Sequence, residues 1–421
     1  MFQGMREMRE LNWAPFIINP SAIDAVLLTH GHADHVGLLP KLVKSGFKGR
    51  IVATAPTLAI TEIVIKDSAK LQEEDAELAN KFKYSRHKRA EPLYTVEDAE
   101  AVIPLFEEAP EGKWIQLFDD LKIRFQYVGH IIGATFIEVQ TQGKTIVFSG
   151  DVGRRKDILL NPPKKPGTAD ILVTESTYGD KLHPNEDITA LLHDIVTRSY
   201  QSGGTILVPS FAVERIQLLM WIFWELEKSK QIPRIPIYMD SPMGANVLEL
   251  FLKYPEWHKL SESDCYELFN KIEVIASYQE TDKVIADRKP KIVIAGSGMI
   301  SGGRILRYME RFLNKPNTTV LLTGYQAAGT RGRKLLEGVH ELKIYGKYVP
   351  VKAQIKVLHT LSAHADQDEL LDWMSNIKNK PQMVCIVHGE QQAAEIFKEK
   401  IIDTLKWDAE VPSLNQIYNV L

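Results

Sequence analysis

Short apolar runs alternate with longer helical patterns along almost the whole chain, and the rhythm of that alternation changes part-way. Ala22–Thr29 (AIDAVLLT) predicts a strand that runs into a histidine-rich turn, and Pro56–Asn80, rich in Ala, Glu, Lys and Leu, predicts a long helix. Lys122–Gly129, Ala134–Gln140 and Lys144–Ser149 read as consecutive strands, the last two joined by a short turn at Gln142-Gly143. This part is therefore β-rich and antiparallel. Asp170–Thr174 predicts one more strand, approached through the loop Asn161–Gly167 (NPPKKPG).

From about Tyr178 the pattern becomes strand-then-helix. Gly204–Pro209 precedes a helix after Phe211, Ile235–Met239 precedes one near Val247, and Lys291–Ala295 precedes Gly302–Leu313. Thr318–Thr323 then leads into a glycine-rich loop. Such units predict a parallel sheet inserted into the chain. Beyond Pro350 follow strand Ile355–Leu358, helix Asp368–Ile377, strand Gln382–Val387 and helix Gln391–Leu405, with no internal repeat or low-complexity tract.

Composition narrows the class. At about 100 to 200 residues per domain, 421 residues predict two or three domains. Lys plus Arg is 51 and Asp plus Glu is 54, a formal charge of −3, so a nucleic-acid partner has to be held by a local basic cleft rather than by overall charge. Cys265 and Cys385 lie far apart with no CxxC spacing, which excludes a disulfide framework and a thiolate zinc knuckle and gives the expectation of a cytoplasmic protein. The run Leu218–Trp224 is far short of the roughly 20 apolar residues that span a bilayer. The start, Met1–Glu7, lacks the apolar core of a signal peptide.

The candidate chemistry begins at Thr29-His30-Gly31-His32-Ala33-Asp34-His35, three imidazoles and a carboxylate packed in just after a strand. Residues i and i+2 at a strand end point the same way, so His30 and His32 can grip one ion while Asp34 and His35 on the following turn reach a second. His130, His364 and His388 each stand in a glycine- or alanine-rich turn, where small neighbours allow close approach. Asp151 and Glu175 follow strands. His87, His183, His193, His258, His340 and His359 lack any such setting and are read as core or surface residues.

Three further stretches suit an anionic ligand. Gly296–Arg304 (GSGMISGGR) follows a strand and opens a helix, so backbone N–H groups around Ser297 and Gly298 can receive a phosphate and Arg304 adds charge. Gly324–Lys334 (GYQAAGTRGRK) is a second such loop, with Arg331, Arg333, Lys334 and an aromatic ring. Lys81–Arg89 (KFKYSRHKR) interleaves cations with aromatics and reads as a solvated face, with RNA contact as the other reading.

The HxHxDH stretch resembles the signature of the metallo-β-lactamase superfamily at every fixed position, and the later motifs resemble those of its β-CASP nucleases. Phe148-Ser149-Gly150-Asp151 looks like the bridging-aspartate motif and Gly129-His130-Ile131-Ile132-Gly133 like the third histidine motif. Thr174-Glu175-Ser176-Thr177-Tyr178, Ser362-Ala363-His364-Ala365-Asp366 and Val387-His388-Gly389-Glu390 look like the A, B and C motifs. The likeness covers nearly the whole chain and is strongest to RNA-cleaving members related to the cleavage and polyadenylation nuclease and to RNase J.

The resemblance implies an α/β fold, a metallo-β-lactamase αββα sandwich formed by residues 1–178 and 353–421, with an inserted β-CASP α/β domain over 179–352. It implies two Zn2+ ions, one on His30, His32 and His130, the other on Asp34, His35 and His388, with Asp151 between them. A hydroxide shared by the ions would attack the phosphodiester of single-stranded RNA, while His364 protonates the leaving oxygen and Glu175 orients His364. Ser297, Gly298, Arg304, Arg331 and Arg333 are the expected substrate contacts, no membrane is involved, and a homodimer is compatible with the family.

Three alternatives stand beside this reading. The DNA-cleaving branch typically has valine where this chain has His388, silent paralogues usually lose ligands that are all kept here, and small-thioester or lactam hydrolases lack the insert. Family members also carry upstream strands and a first-motif aspartate before a segment like Met1-Phe2-Gln3-Gly4. The expectation is a shortened start, with looser support behind the metal ligands and an exposed sheet edge.

Overall fold

The computed structural model describes residues 1–2, 4–83 and 88–419. Within Lys81–Arg89, Tyr84, Ser85, Arg86 and His87 lie outside the described residues. The chain divides into two units, one formed by Phe16–His183, Glu256–Lys259 and Ala363–Leu421, the other by Met1–Pro15, Pro184–Pro255 and Leu260–Ser362.

The first unit is built on two sheets. Strands Ala25–Leu27, Arg50–Ala53 and Phe106–Glu108 form a parallel sheet of three. The second sheet has seven strands, in the order Ala409–Glu410, Met383–Ile386, Ile171–Thr174, Lys144–Phe148, Thr135–Thr141, Leu121–Tyr127 and Ile115–Phe118. Three of the four strands in its antiparallel half are those expected from the sequence, Ile115–Phe118 being the fourth, with Ile123 opposite Val139 and Val139 opposite Ile146. Side chains pointing to one face of these strands, Ile123, Phe125, Ile137 and Val139, bury themselves with Val52 and Leu117 between the sheets. That interleaving of alternate residues is the driving force for the sandwich.

Helices cover the outer faces. Ala55–Phe82 packs on strand Phe106–Glu108, and Gln391–Leu405 packs on Met383–Ile386 and Ala409–Glu410. The long helix opens at Thr54 with Pro56 in its first turn, where a missing N–H costs nothing, and closes at Lys83 in the left-handed region. Helix, sheet, sheet, helix is the αββα order.

The second unit holds six parallel strands in the order Glu273–Val274, Ile237–Asp240, Lys291–Ala295, Thr205–Pro209, Thr318–Leu322 and Gln354–Val357. The three central strands are buried at every position, as a parallel sheet covered on both faces requires. Strand Gln354–Val357 pairs with Thr318–Leu322 and so belongs to this sheet. The hairpin Glu341–Ile344/Lys347–Pro350, turning at Tyr345-Gly346, is not among the strands expected from the sequence. Among the described residues no helix is long and apolar enough to cross a membrane.

Candidate metal centre

Every clustered imidazole and carboxylate described below lies in the sandwich unit. His30 follows the strand Ala25–Leu27, with its Nδ1 3.2 Å from Thr29 Oγ1, so Nε2 is the ring atom that faces inward. Gly31 sits where a Cβ would lie 2.5 Å from Ile60 Cγ2, which only glycine avoids. His32 caps the short helix Ala33–Val36, and that single turn carries Asp34 and His35 to the next position along. His130 and His388 adopt left-handed φ values of 65° and 52° in their turns. Such angles are uncommon for residues with a Cβ and cost about 1 kcal/mol or more each, so the fold holds strain at two of its clustered imidazoles.

Asp151, buried after strand Lys144–Phe148, is the centre of the cluster. Its Oδ2 lies 3.3 Å from Nε2 of both His30 and His130. Its Oδ1 lies 3.3 Å from His35 Nε2 and 3.4 Å from His388 Nδ1. His130 Nε2 is 3.0 Å from His32 Nδ1, and His388 Nε2 is 3.1 Å from Asp34 Oδ2 and 3.3 Å from His35 Nε2. Two donor sets thus stand side by side, His30 with His32 and His130, and Asp34 with His35 and His388, sharing one carboxylate with an oxygen toward each.

These spacings fit metal ions. Four ligands held tetrahedrally at zinc–nitrogen distance stand about 3.3 to 3.4 Å from one another. Neutral imidazoles at that separation have little reason to gather unless a cation lies between them. The buried atoms His30 Nε2 and Asp151 Oδ1 have no hydrogen-bond partner among the described residues, although buried polar atoms are otherwise almost always paired. Burial first, and then neighbouring imidazoles, hold His30 and His130 below the ordinary histidine range and take His32 down to about 3. All three are therefore unprotonated, the form that ligates.

Beside the cage stands a second arrangement. Glu175 is buried, accepts the Val152 N–H at 2.6 Å and the Thr177 N–H at 3.3 Å, and receives His364 Nδ1–H at 3.0 Å. The His364 ring centroid is 4.6 Å from that of His130. Burial alone would lower the His364 pKa, but the Glu175 carboxylate outweighs it and leaves the ring above 6.5. One imidazole next to the cage is thus kept ready to carry a proton while His30, His32 and His130 are kept free of one.

His183, a core or surface residue by its sequence setting, has its Nε2 2.9 Å from the His364 carbonyl oxygen. The only sequence signal was its nearness to the Glu175 motif, since no glycine or carboxylate adjoins it.

The expected substrate loops lie in the other unit. Gly296–Arg304 leaves the carboxyl end of Lys291–Ala295 and Gly324–Lys334 leaves that of Thr318–Leu322, on either side of Thr205–Pro209. Open parallel sheets bind ligands at such a place. A Cβ on Gly298 would meet the Phe211 ring at 2.6 Å, and Ser297 Oγ accepts the Ser301 and Gly302 N–H groups at 2.9 and 3.2 Å. The arginines are engaged within the unit. Arg331 donates to the carbonyls of Lys343, Ile300 and Ser301, and Arg333 to Glu337 and the Gln326 carbonyl. Arg304 is paired at 2.6 Å with Asp240, which is fully buried and also accepts from Thr281 and Tyr308 hydroxyls. Arg304→Ala would strand that carboxylate, so urea unfolding should show a loss of about 3 to 5 kcal/mol. A stability change under about 1 kcal/mol would refute a structural role for the pair.

An αββα sandwich carrying this cage defines a metal-dependent hydrolase. Residues 16–193 match the metallo-beta-lactamase superfamily, 216–335 the Beta-Casp domain, and 348–412 the Zn-dependent metallo-hydrolase RNA specificity domain. The chain is 35% identical to "Ribonuclease TTHA0252" of Thermus thermophilus over 93% of its own length and 86% of the relative's. It is 28% identical to an "RNase J-like protein" of Methanocaldococcus jannaschii, covering 94% and 88%. A "Transcription termination factor FttA" of Pyrococcus horikoshii is also 28% identical, over 90% of this chain and 58% of that protein. This chain belongs to the metallo-β-lactamase superfamily, in its β-CASP branch.

Proposed function

We propose that this protein is a zinc-dependent ribonuclease that hydrolyses phosphodiester bonds in single-stranded RNA at the Asp151-centred cage. The observation that carries the reading is the orientation of Asp151, one carboxylate oxygen toward each of two three-residue donor sets. His30, His32 and His130 would hold one ion, Asp34, His35 and His388 the other, and Asp151 both. Ions held there would supply a lowered pKa for water and a counter-charge for the phosphate.

The protein's own groups do the rest. Glu175 accepts the Nδ1 proton of His364 and fixes the ring so that Nε2 carries the proton available to the leaving oxygen. His30, His130, Asp151 and Glu175 are buried while Asp34 and His388 are exposed, so the scissile phosphate has to enter from the open side and reach down to the buried groups. A flexible single strand does this more readily than a stiff A-form duplex. On the substrate side, we assign phosphate contact to the backbone around Ser297 and Gly298, with Arg304, Arg331 and Arg333 holding the shape of the two loops.

The test is a time course with zinc on end-labelled single-stranded RNA, its duplex, and DNA of the same sequence. The RNA strand should be cut and the duplex and DNA spared. Preferential cutting of the DNA would replace this reading with the DNA-nuclease one.

A further inference from the structure

We propose that His183 is a positioning residue for the reaction, acting through His364. The inference rests on the role given to His364 above, and begins from how the backbone around that residue is held. His364 forms an isolated antiparallel bridge with Gly153, and the next residue donates its N–H to the Val152 carbonyl at 2.7 Å. On the other side stands the segment that leaves Glu175 and ends at His183.

That segment is laced to the His364 turn at several points. His183 Nε2 lies 2.9 Å from the His364 carbonyl oxygen; a carbonyl cannot donate, so the ring nitrogen does. The His183 backbone N–H donates to Asp366 Oδ2 at 2.9 Å. Gln367 donates its backbone N–H to the Lys181 carbonyl at 3.2 Å and its side-chain amide to the Gly179 carbonyl at 2.6 Å. The Tyr178 ring lies against both imidazoles, with centroids 4.9 Å from His183 and 6.2 Å from His364.

Asp366 and Glu369 near His183 have their own duties. Asp366 Oδ1 accepts the Glu369 N–H at 3.0 Å and Glu369 Oε2 accepts the Asp366 N–H at 3.2 Å, the reciprocal cap of helix Gln367–Met374. The cap fixes the chain after His364, and the His183 ring fixes the His364 peptide itself. Glu175 sets the rotation of the His364 ring, while His183 sets where the ring is hung. Loss of the second leaves the proton donor present but misplaced, and misplacement by about 1 Å costs large factors in rate.

The experiment uses the full chain, zinc and single-stranded RNA, and two variants of similar volume. His183→Leu fills the space without a donor, and His183→Gln offers an amide N–H at about the reach of Nε2. His183→Leu should lower kcat about 10- to 100-fold with KM and bound zinc unchanged, and His183→Gln should restore most of it. In a His364→Ala background, His183→Leu should cost less than about twofold, because a residue acting only through His364 has nothing left to act on. Equal losses in both backgrounds, or a glutamine variant no better than leucine, would overturn the proposal. A full rate for His183→Leu beside a crippled His364→Ala would overturn it alone and leave the proton-donor reading intact. A full rate for His364→Ala would overturn both.

Discussion

Asp151→Asn is expected to lower RNA cleavage by at least about a thousandfold, because the substitution removes a carboxylate charge that faces both donor sets. Asparagine matches aspartate in size, so the turn after Lys144–Phe148 keeps its shape. Its amide, however, can offer oxygen to only one set and must turn N–H donors toward the other. Those donors would meet ring nitrogens that burial already holds unprotonated on the His30, His32 and His130 side. Zinc per chain, measured by elemental analysis after dialysis, should fall with the rate. A variant that keeps both its zinc and its rate would sink the shared-carboxylate reading, and one that keeps its zinc alone would place the role of Asp151 in the chemical step.

His364→Ala is expected to cost about 10²- to 10⁴-fold in kcat on RNA, the usual value of a positioned proton donor. Zinc content should hold, since neither three-residue donor set loses a nitrogen. The sharper readout is the leaving group. A phosphodiester that expels nitrophenolate needs no proton on departure, so wild type and His364→Ala should cleave it at similar rates. An equal loss on both substrates would show that His364 supports the cage rather than the leaving oxygen.

The same residue gives a pH dependence whose sign follows from its surroundings. As a proton donor His364 works in its protonated form, so the rate falls as pH rises through its pKa, which the Glu175 charge holds above 6.5 against the opposing effect of burial. Glu175→Gln removes that charge. The alkaline limb of kcat should therefore move to lower pH, and a limb that stays in place would assign it to another group.

Much of the centre was legible because its parts are local. The HxHxDH stretch needs only a strand end and one turn to aim His30, His32, Asp34 and His35 at a common place, and neighbours in sequence cannot help being neighbours in space. The small residues around His130, Asp151 and His388 were visible for a related reason. Gly129 and Gly133 take φ values of +73° and +83°, and a Cβ on Gly389 would lie 2.3 Å from Ser176 Oγ, so the turns that carry these clustered side chains demand residues that sequence displays openly. Short apolar runs bounded by turn residues likewise marked three of the antiparallel strands.

Tertiary structure decided what depends on the partner rather than the residue. Arg304 looks like a phosphate ligand in its glycine-rich loop, and only the return of Asp240 from another strand makes it half of a buried pair. Strand Gln354–Val357 has the same pattern whichever sheet it joins, and backbone pairing with Thr318–Leu322 settles the matter without any side-chain signature. His183 has no motif at all, because its contact is with a backbone carbonyl that every residue possesses. Residue type and spacing therefore marked the donor groups this chain can offer, while the pairing of distant groups, which depends on long-range packing, decided which polar side chains gather at the candidate centre and which hold the scaffold around it.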